Sequence, residues 1–318
     1  MDAGGGLQPA SPGRSFGAMS QPPILRVYLH PPLLHTARAG RLGLLNRLQQ
    51  VLFPRGWQIE IAPSGEAARA RAPDLPGYAL FNMERPPHDR ALTFRLAYHY
   101  PFWQIERQAE RWRWPVAQSV FVPDSIDAEA AGDFATRLRA RVLPGPAPVV
   151  GDYVLIALQG QLRRQRSFQA ASPLAMVRAV AETGRPCHAT LHPSEEYSAE
   201  DRAALADLAA QHTNLTIGGN SAVLLRDCAF VATQNSAVAF DGYILGKPAV
   251  LFAQVDFHHI GLNVSDIGIA KALARAQYHR PDYARYLDWF LRQHALDMMA
   301  ADIDQRLIAT LARHGWPV

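Results

Sequence analysis

Apolar and polar positions alternate along the chain in an order that predicts strands and helices, most regularly in the second half. Short apolar runs there predict buried strands at 153–160, 187–193, 215–219, 229–234 and 248–254. Segments with helical spacing lie between them at 172–184, 198–212, 221–228 and 236–246. Strands that alternate with helices through short connections predict a parallel sheet with helices on both faces. A sheet of this kind binds its ligand at the carboxyl ends of its strands.

The first half shows a weaker version of the same rhythm. Apolar or alternating runs predict strands at 24–30, 57–63 and 78–83, and helical spacing predicts helices at 42–56 and 126–143. Segment 92–121 is dense in aromatic residues and arginine, and we interpret it as a pair of amphipathic helices whose aromatic residues are core. The alternative is a wall that faces a ligand, because Trp and Tyr stack on sugar rings and Arg pairs with carboxylates.

The prolines at 144–152 mark a boundary between two domains. We predict a disordered tail at 1–20, a first α/β domain at 21–147 and a second at 148–299. Residues 300–318 are expected to form a C-terminal helix that packs back on the first domain. The tail lacks the apolar middle of a signal peptide, and no apolar run reaches 18 residues, so we expect a cytoplasmic protein.

Composition narrows the function classes. The 318 residues are 48% hydrophobic, enough for a sizeable core, and carry a net charge of +4. Basic residues are almost all Arg, and no basic stripe with interleaved aromatic residues occurs, so nucleic acid is not an expected partner. The two cysteines, Cys187 and Cys228, lie in apolar surroundings and are expected to be core residues rather than a disulfide framework.

Polar side chains follow the predicted strands of the second half at the point where each strand ends. The residues that we expect to bind an anionic ligand there are Gln159, Gly160, Arg163, Arg166, His192, Pro193, Gln234, Asn235, Ser236 and Ala237. Ser236 opens a predicted helix, and the free N–H groups and positive dipole of a helix start favour a phosphate. Two alternatives stay open: Ser236 is only an N-cap, and Arg163 and Arg166 are only a solvated basic loop.

A loop rich in Asp and His follows the last clear strand. Asp256, His258 and His259 lie too close in sequence to serve together as ligands of one tetrahedral metal site, and no Cys stands nearby. We therefore predict no metal and no cofactor, and an acid–base or ligand-orienting role for one histidine. The alternative is a polar loop with one buried histidine. A G-x-x-x-x-G-K-[ST] loop, a G-x-S-x-G elbow and an H-E-x-x-H motif are absent.

Motifs in the second half resemble a known family. His192-Pro193, Asn235-Ser236-Ala237 and Gly246-Lys247-Pro248 resemble motifs of the capsular-polysaccharide-synthesis glycosyltransferases, in particular bacterial Kdo transferases that use a CMP-linked sugar. The resemblance covers roughly 150–262. It implies a GT-B-like α/β fold of two Rossmann-like domains that face each other across a cleft, with a parallel sheet in each. The donor would bind the second domain and the acceptor would lie on the side of the first. Where the family often has F-E-A, this chain has Phe240-Asp241-Gly242, which leaves the sugar open.

The resemblance implies a metal-independent transfer from a nucleotide-sugar donor to a bacterial surface polysaccharide or glycolipid. Asp241 or Glu195 would contact ribose or sugar hydroxyls, and the catalytic candidates are His192, Glu195, Asp256 and His258. We also expect peripheral association with the inner face of the inner membrane, and the oligomeric state stays open. Two alternatives remain: an enzyme like the sugar-nucleotide 2-epimerases, and a non-catalytic binder of sugar nucleotides or glycans. An active transferase should line its cleft with an acidic or His residue of the first domain, such as Glu84, His88, His99 or Glu106.

Overall fold

The computed structural model describes residues 22–318 and contains two six-stranded sheets. The predicted tail at 1–20 lies outside the described residues. The first half of the chain contributes five strands to the first sheet: β1 (Ile24–Leu29), β2 (Gln58–Pro63), β3 (Tyr78–Asn82), β4 (Ala91–Leu96) and β5 (Phe102–Glu106). The helices of this region are α1 (Pro31–Arg38), α2 (Gly43–Leu52), α3 (Glu66–Arg71), α4 (Pro115–Gln118) and α5 (Ala128–Val142). The sequence pattern missed α1 and α3.

The helix pair that we predicted for 92–121 is wrong. β4 and β5 form an antiparallel hairpin in which Leu96 pairs with Trp103. Every residue of β5 is buried, Gln104 and Glu106 among them, so its burial does not follow the alternation of apolar and polar residues that identifies a half-buried strand. The expectation that the aromatic residues are core holds for Phe94, Phe102, Trp103 and Trp114, which are buried, whereas Tyr100 is 52% exposed and Trp112 is partly exposed.

The second sheet follows the predicted order closely. Its strands are β6 (Val154–Ala157), β7 (Cys187–Thr190), β8 (Leu215–Ile217), β9 (Phe230–Thr233), β10 (Ala249–Leu251) and β11 (Leu262–Asn263). Its helices are α6 (Pro173–Ala181), α7 (Ala199–Gln211), α8 (Ser221–Asp227), α9 (Ala237–Ile244), α10 (Val264–Ile267), α11 (Ile269–Ala276) and α12 (Tyr283–Asp288). The strands are parallel in the order β11-β10-β9-β6-β7-β8. Ser172 and Ser198 accept backbone N–H bonds at the starts of α6 and α7.

The chain then returns to the first sheet. A π-helical turn at Trp289–Gln293 leads into β12 (Leu296–Asp297), which pairs antiparallel with β5. The last helix, α13 (Ile303–Arg313), packs against α2. The first sheet thus has the order β12-β5-β4-β3-β1-β2, parallel from β4 to β2 and antiparallel at β5 and β12.

The two sheets are joined through a shared apolar core. Residues of the first half such as Phe102 and Trp114 pack in one cluster with Phe240, Phe257 and Tyr286 of the second half. Separate clusters lie under each sheet. Cys187 and Cys228 are both buried, and burial raises the pKa of their thiols to about 11 and about 12 respectively, as expected for core cysteines. Among the described residues, none of the helices has both the length and the apolar composition to cross a membrane.

Candidate functional site

The carboxyl ends of β6 and β9 lie side by side, because the two strands are parallel neighbours with Ala157 opposite Thr233. Gln159 and Gly160 follow β6, and Gln234, Asn235 and Ser236 follow β9. Ser236 is the N-cap of α9: its hydroxyl accepts from the backbone N–H of Val238 at 3.3 Å. The start of α9, with the positive end of its dipole, therefore stands at the edge of the sheet where ligands of such folds bind.

Several buried polar atoms at this edge have no hydrogen-bond partner among residues 22–318. They are Gln159 Oε1, Arg166 Nε, Gln169 Nε2 and Gln234 Oε1. Other atoms of the same side chains are held in place. Gln234 Nε2 donates to the carbonyl of Ala171 at 3.0 Å, and Gln169 Oε1 accepts from the backbone N–H of Arg166 at 2.8 Å.

An unpaired buried polar atom costs about 1–3 kcal/mol, so four of them along one edge need a polar ligand or bound water. We call Gln159, Gly160, Arg166, Gln169 and Gln234–Ser236 the edge cluster. Sequence reasoning missed Gln169, which lies in the loop after β6 and gives no pattern of its own.

Gly160 is packed against an acidic side chain. A Cβ at this position would collide with the carboxylate of Glu195, so the close approach depends on glycine. Burial lowers the pKa of the Arg166 guanidinium, and the nearby charge of Glu195 opposes that shift. The structure thus brings Gly160, Arg166 and Glu195 together.

His192 and Pro193 lie at the same edge, after β7, and both are exposed. His192 Nδ1 accepts from the backbone N–H of Ser194 at 3.2 Å, and the backbone N–H of His192 donates to the hydroxyl of Tyr197 at 2.8 Å. Because Nδ1 accepts, the proton of the neutral ring resides on Nε2, which is free to donate toward the edge. Arg163 is placed differently: it pairs with Asp201 at 3.2 Å and Glu200 at 3.8 Å at the start of α7.

Asp256 forms the centre of a buried polar bridge between the two halves of the chain. Its Oδ1 accepts from the hydroxyl of Tyr98 and from Arg111 Nη1 at 3.1 Å. Arg111 also donates to Tyr98 and, through Nη2, to the carbonyl of Asn235 at 3.1 Å. Burial raises the pKa of Tyr98 well above its ordinary value, so the phenol stays protonated and donates. The Asp256 side chain is only 2% exposed, which leaves it little access to a substrate.

Asp241 makes a second polar contact between the halves. Its Oδ1 lies 2.7 Å from His99 Nε2, and both side chains are partly exposed. His99 was one of the first-half residues expected to line the cleft. Asp241 and His99 therefore face each other beside the interdomain bridge of Tyr98, Arg111, Asp256 and Asn235.

A polar cavity of about 480 Å³ lies between the halves next to this bridge. It is lined by Trp112, Arg113, Ala117 and Gln118 from the first half and by Ala253, Gln254, Val255, His258, Asn263, Ser265 and Asp266 from the second. The ring of Trp112 stacks on that of Phe168 at 4.9 Å, and the guanidinium of Arg166 lies over the Phe168 ring at 4.8 Å. The cavity therefore adjoins the edge cluster.

The two histidines of the Asp/His loop differ in surroundings. His258 Nδ1 donates to the carbonyl of Val255 at 2.9 Å, which leaves Nε2 of the neutral ring as an acceptor at the cavity. His259 Nε2 donates to the carbonyl of Ser119 at 3.1 Å, and Nδ1 accepts from Tyr286 at 3.1 Å. Burial lowers the pKa of His259 to about 4, so this ring is neutral and structural. Within residues 22–318 no group of three or more His, Cys, Asp or Glu is arranged to hold a metal ion.

Comparison with solved structures shows similarity over nearly the whole chain. The beta Kdo 2,7 transferase of Thermosulfurimonas dismutans KpsC aligns with 92% of this chain and 100% of its own, at 12% identity and a TM-score of 0.52. The beta Kdo 2,4 transferase of the same protein aligns with 84% of this chain and 89% of its own, at 13% identity and a TM-score of 0.42. The UDP-GlcNAc 2-epimerase of Neisseria meningitidis aligns with 91% and 99%, at 10% identity and a TM-score of 0.37.

Only the first similarity bears on the fold, since scores under 0.5 do not establish a shared one. It confirms the α/β fold of two Rossmann-like domains, and with it the distant resemblance that the sequence motifs suggested. No protein-family model matches the sequence, and no curated protein matches it.

Proposed function

We propose that the protein is a glycosyltransferase that binds a nucleotide-sugar donor at the edge cluster. The observation that carries this proposal is the set of buried polar atoms on Gln159, Arg166, Gln169 and Gln234 that have no hydrogen-bond partner within residues 22–318 and lie beside the start of α9. A phosphate supplies acceptor oxygens for the arginine and the glutamine amide, and nucleoside hydroxyls supply donors for the two unpaired amide oxygens. The motifs at His192-Pro193 and Asn235-Ser236-Ala237 and the fold similarity to a Kdo transferase support the same function.

Each residue at the edge then has a distinct role. The N–H groups at the start of α9, at Ala237 and its neighbours, and the Arg166 guanidinium stabilise the donor phosphate as negative charge develops on it. His192 donates from Nε2 to the same leaving group, and no metal ion is needed when these groups carry the charge. Glu195, held against Gly160, contacts donor hydroxyls.

The cavity beside the bridge receives the transferred sugar. Its amide and hydroxyl side chains suit a polyhydroxylated ring, and Trp112 gives it an aromatic wall. His258 accepts a sugar hydroxyl at Nε2. Asp256 and Asp241 are positioning residues in this proposal, because both are engaged by residues of the first half. Arg163 lies outside the site, paired with Asp201.

The acceptor would be a bacterial surface polysaccharide or a glycolipid, at the inner face of the inner membrane. The sequence motifs, which are shared with capsule-synthesis transferases, support this acceptor class. The following experiments identify the donor nucleotide and its sugar.

The first experiment is a thermal-shift titration with CMP, UDP, GDP and their sugar conjugates. A ligand that binds only the folded state raises the melting temperature, with about 2.7 kcal/mol of stabilisation at 100 times its Kd. We expect one nucleotide class to stabilise the wild type and to lose most of that effect in Ser236→Ala and Gln159→Leu. Asp127→Ala is the matched control, since it likewise removes an N-cap, at the start of α5, where Oδ1 accepts from Ala130 and no residue of the edge cluster takes part.

The stabilising sugar conjugate is then incubated with the protein and followed by NMR. A transferase leaves the nucleotide sugar intact until an acceptor is added, and then releases the nucleotide as the sugar moves to the acceptor. Interconversion of two sugar epimers without acceptor would instead show a 2-epimerase-like enzyme. Binding without either reaction would show a non-catalytic sugar-nucleotide binder, and no shift with any nucleotide would contradict the proposal.

A further inference from the structure

Three parallel strands of the first sheet end in polar residues that meet one another. His30 directly follows β1, Ser64 follows β2, and Glu84 lies two positions after the end of β3. The motifs in the second half do not involve them, and the edge cluster does not include them. We call these three residues the His30 cluster.

The contacts inside the cluster fix the histidine ring. His30 Nδ1 lies 3.0 Å from Ser64 Oγ, and Nε2 lies 3.9 Å from Glu84 Oε1. The His30 side chain is 46% exposed, whereas that of Glu84 is 14% exposed. Glu84 Oε2 is buried without a hydrogen-bond partner in the described part of the chain. His30 is also the N-cap residue of α1, yet its side chain makes no capping bond, so the ring is not engaged in holding the helix.

Two residues beside the cluster have backbone conformations that are unusual or restricted to glycine. Met83, the residue before Glu84, has a φ of 59°, and Gly65, the residue after Ser64, has a φ of 148°. A left-handed conformation at a methionine is unfavourable by about 1–3 kcal/mol and persists where the surroundings impose it. Such positions concentrate at functional sites. Here the turn aims Glu84 at the end of β1.

The cluster lies on the edge of the first sheet that faces the second half of the chain. β4 is parallel to β3, and the residues after β4, Tyr98 and His99, contact Asp256 and Asp241 of the second half. Parallel strands end at the same edge, and neighbouring strands lie about 5 Å apart. Glu84 is therefore roughly one strand spacing, and His30 roughly two, along the edge from this interface.

The charge of the cluster selects its ligand. Its members are a carboxylate, a hydroxyl and an imidazole, and the neighbouring cation, Arg85, is paired with Glu110. A carboxylate repels the phosphates of a nucleotide, so this site suits a neutral hydroxyl rather than the donor. His30 Nε2 and Glu84 Oε1 are 3.9 Å apart, too far for a direct hydrogen bond, so a hydroxyl oxygen can lie about 2.8 Å from each of them.

We propose that the His30 cluster binds the acceptor hydroxyl and that His30 is the general base that deprotonates it. This inference rests on the proposed function. The neutral ring donates its Nδ1 proton to Ser64 Oγ and presents the lone pair of Nε2. The acceptor O–H proton passes to Nε2, and the acceptor oxygen forms a bond to the anomeric carbon. The bond from that carbon to the donor phosphate breaks, with its electron pair on the phosphate. Glu84 stabilises the imidazolium that results.

The test uses the full chain, the nucleotide sugar that stabilises it, and simple aryl glycosides as acceptor probes. We expect His30→Gln to lower kcat at least about 100-fold, the usual scale of a lost general base. Glu84→Gln should lower kcat and change its dependence on pH, and Ser64→Ala should lower kcat with little change in KM. Ser64→Thr, which keeps the hydroxyl, should recover activity. His35→Gln is the matched control, since His35 is exposed on the same helix and should leave kcat unchanged.

The thermal shift by the nucleotide separates this inference from the proposed function. If the wild type binds no nucleotide, the proposed function itself fails. If nucleotide stabilises His30→Gln as it does the wild type and transfer is unchanged, the assignment of His30 is overturned. A wild type that binds the nucleotide sugar but neither transfers its sugar nor hydrolyses it would also overturn the assignment, since there would then be no reaction in which His30 accepts a proton.

Discussion

Arg111 and Asp256 form an ion pair between the two halves of the chain, and the pair should be strongly coupled because it is buried. The two side chains are 12% and 2% exposed, and the nitrogen–oxygen distance is 3.1 Å. Removing one partner of a buried pair leaves an unpaired charge and costs about 3–5 kcal/mol. We expect Arg111→Met and Asp256→Asn each to lower the free energy of unfolding by about 3 kcal/mol.

The double variant should cost far less than the sum of the two single variants. It leaves neither charge of the pair without its partner, and its remaining losses are the two bonds that Arg111 donates to the Asn235 carbonyl and to the Tyr98 hydroxyl, each about 1 kcal/mol. The two single losses together are about 6 kcal/mol and the double variant loses about 2 kcal/mol, so the expected coupling is about 4 kcal/mol, slightly above the usual range for contacting residues. Urea unfolding at pH 7.5, followed by tryptophan fluorescence, gives the four free energies.

The structure offers a matched control at nearly the same distance. Arg163 and Asp201 are 3.2 Å apart, but the arginine side chain is 55% exposed. Exposed pairs contribute about 0–1 kcal/mol, so the cycle of Arg163→Met and Asp201→Asn should give a coupling below about 0.5 kcal/mol. Equal coupling in the two cycles would refute the argument from burial. If the double variant regains stability but loses transfer completely, then Asp256 acts in catalysis rather than in positioning.

Three further predictions concern pH, anchoring and the edge cluster. Burial raises the pKa of Glu106 from 4.5 to about 7, so the stability it contributes is present below pH 4.5 and lost as pH rises through 7. Glu106→Gln should accordingly gain up to about 3 kcal/mol over wild type between pH 5 and pH 8 in urea unfolding, and a constant difference would contradict this. Lys247→Met should cost about 2–4 kcal/mol, because Nζ donates to the buried carbonyl of Cys228 at 2.8 Å and to that of Val149; an unchanged melting temperature would count against it. Gly160→Ala should melt near the wild-type temperature but weaken the nucleotide-induced shift, since only a flexible carboxylate must move; a full shift would place the nucleotide elsewhere.

The second half could be predicted from sequence because its signals are local. Apolar runs end at Gly or Pro, and helices begin at residues such as Ser172 and Ser198 whose hydroxyls accept from the first turn. The hairpin at 91–106 could not be predicted in this way, since the residues that bury both of its faces are distant in sequence. β12, which pairs with β5, lies near the end of the chain.

Some features of the candidate site are likewise local in sequence, and others depend on distant residues. The start of α9 and the close approach at Gly160 follow from residue types and spacing. The environment of Asp256 does not, because its partner Arg111 lies 145 positions earlier in the chain. The unpartnered atom of Gln169 is equally invisible in sequence, since a glutamine in a loop is ordinarily solvated.

The return of the chain to the first sheet has a consequence for the order of folding during synthesis. The first sheet needs β12, and the core beneath it includes Leu296, Ile303 and Leu307, so the first half cannot be completed until the last residues leave the ribosome. All strands of the second sheet lie between β5 and β12 and emerge earlier. The half that is synthesised second is therefore the first that can close, and the N-terminal strands wait as an open sheet with β5 as an unpaired edge.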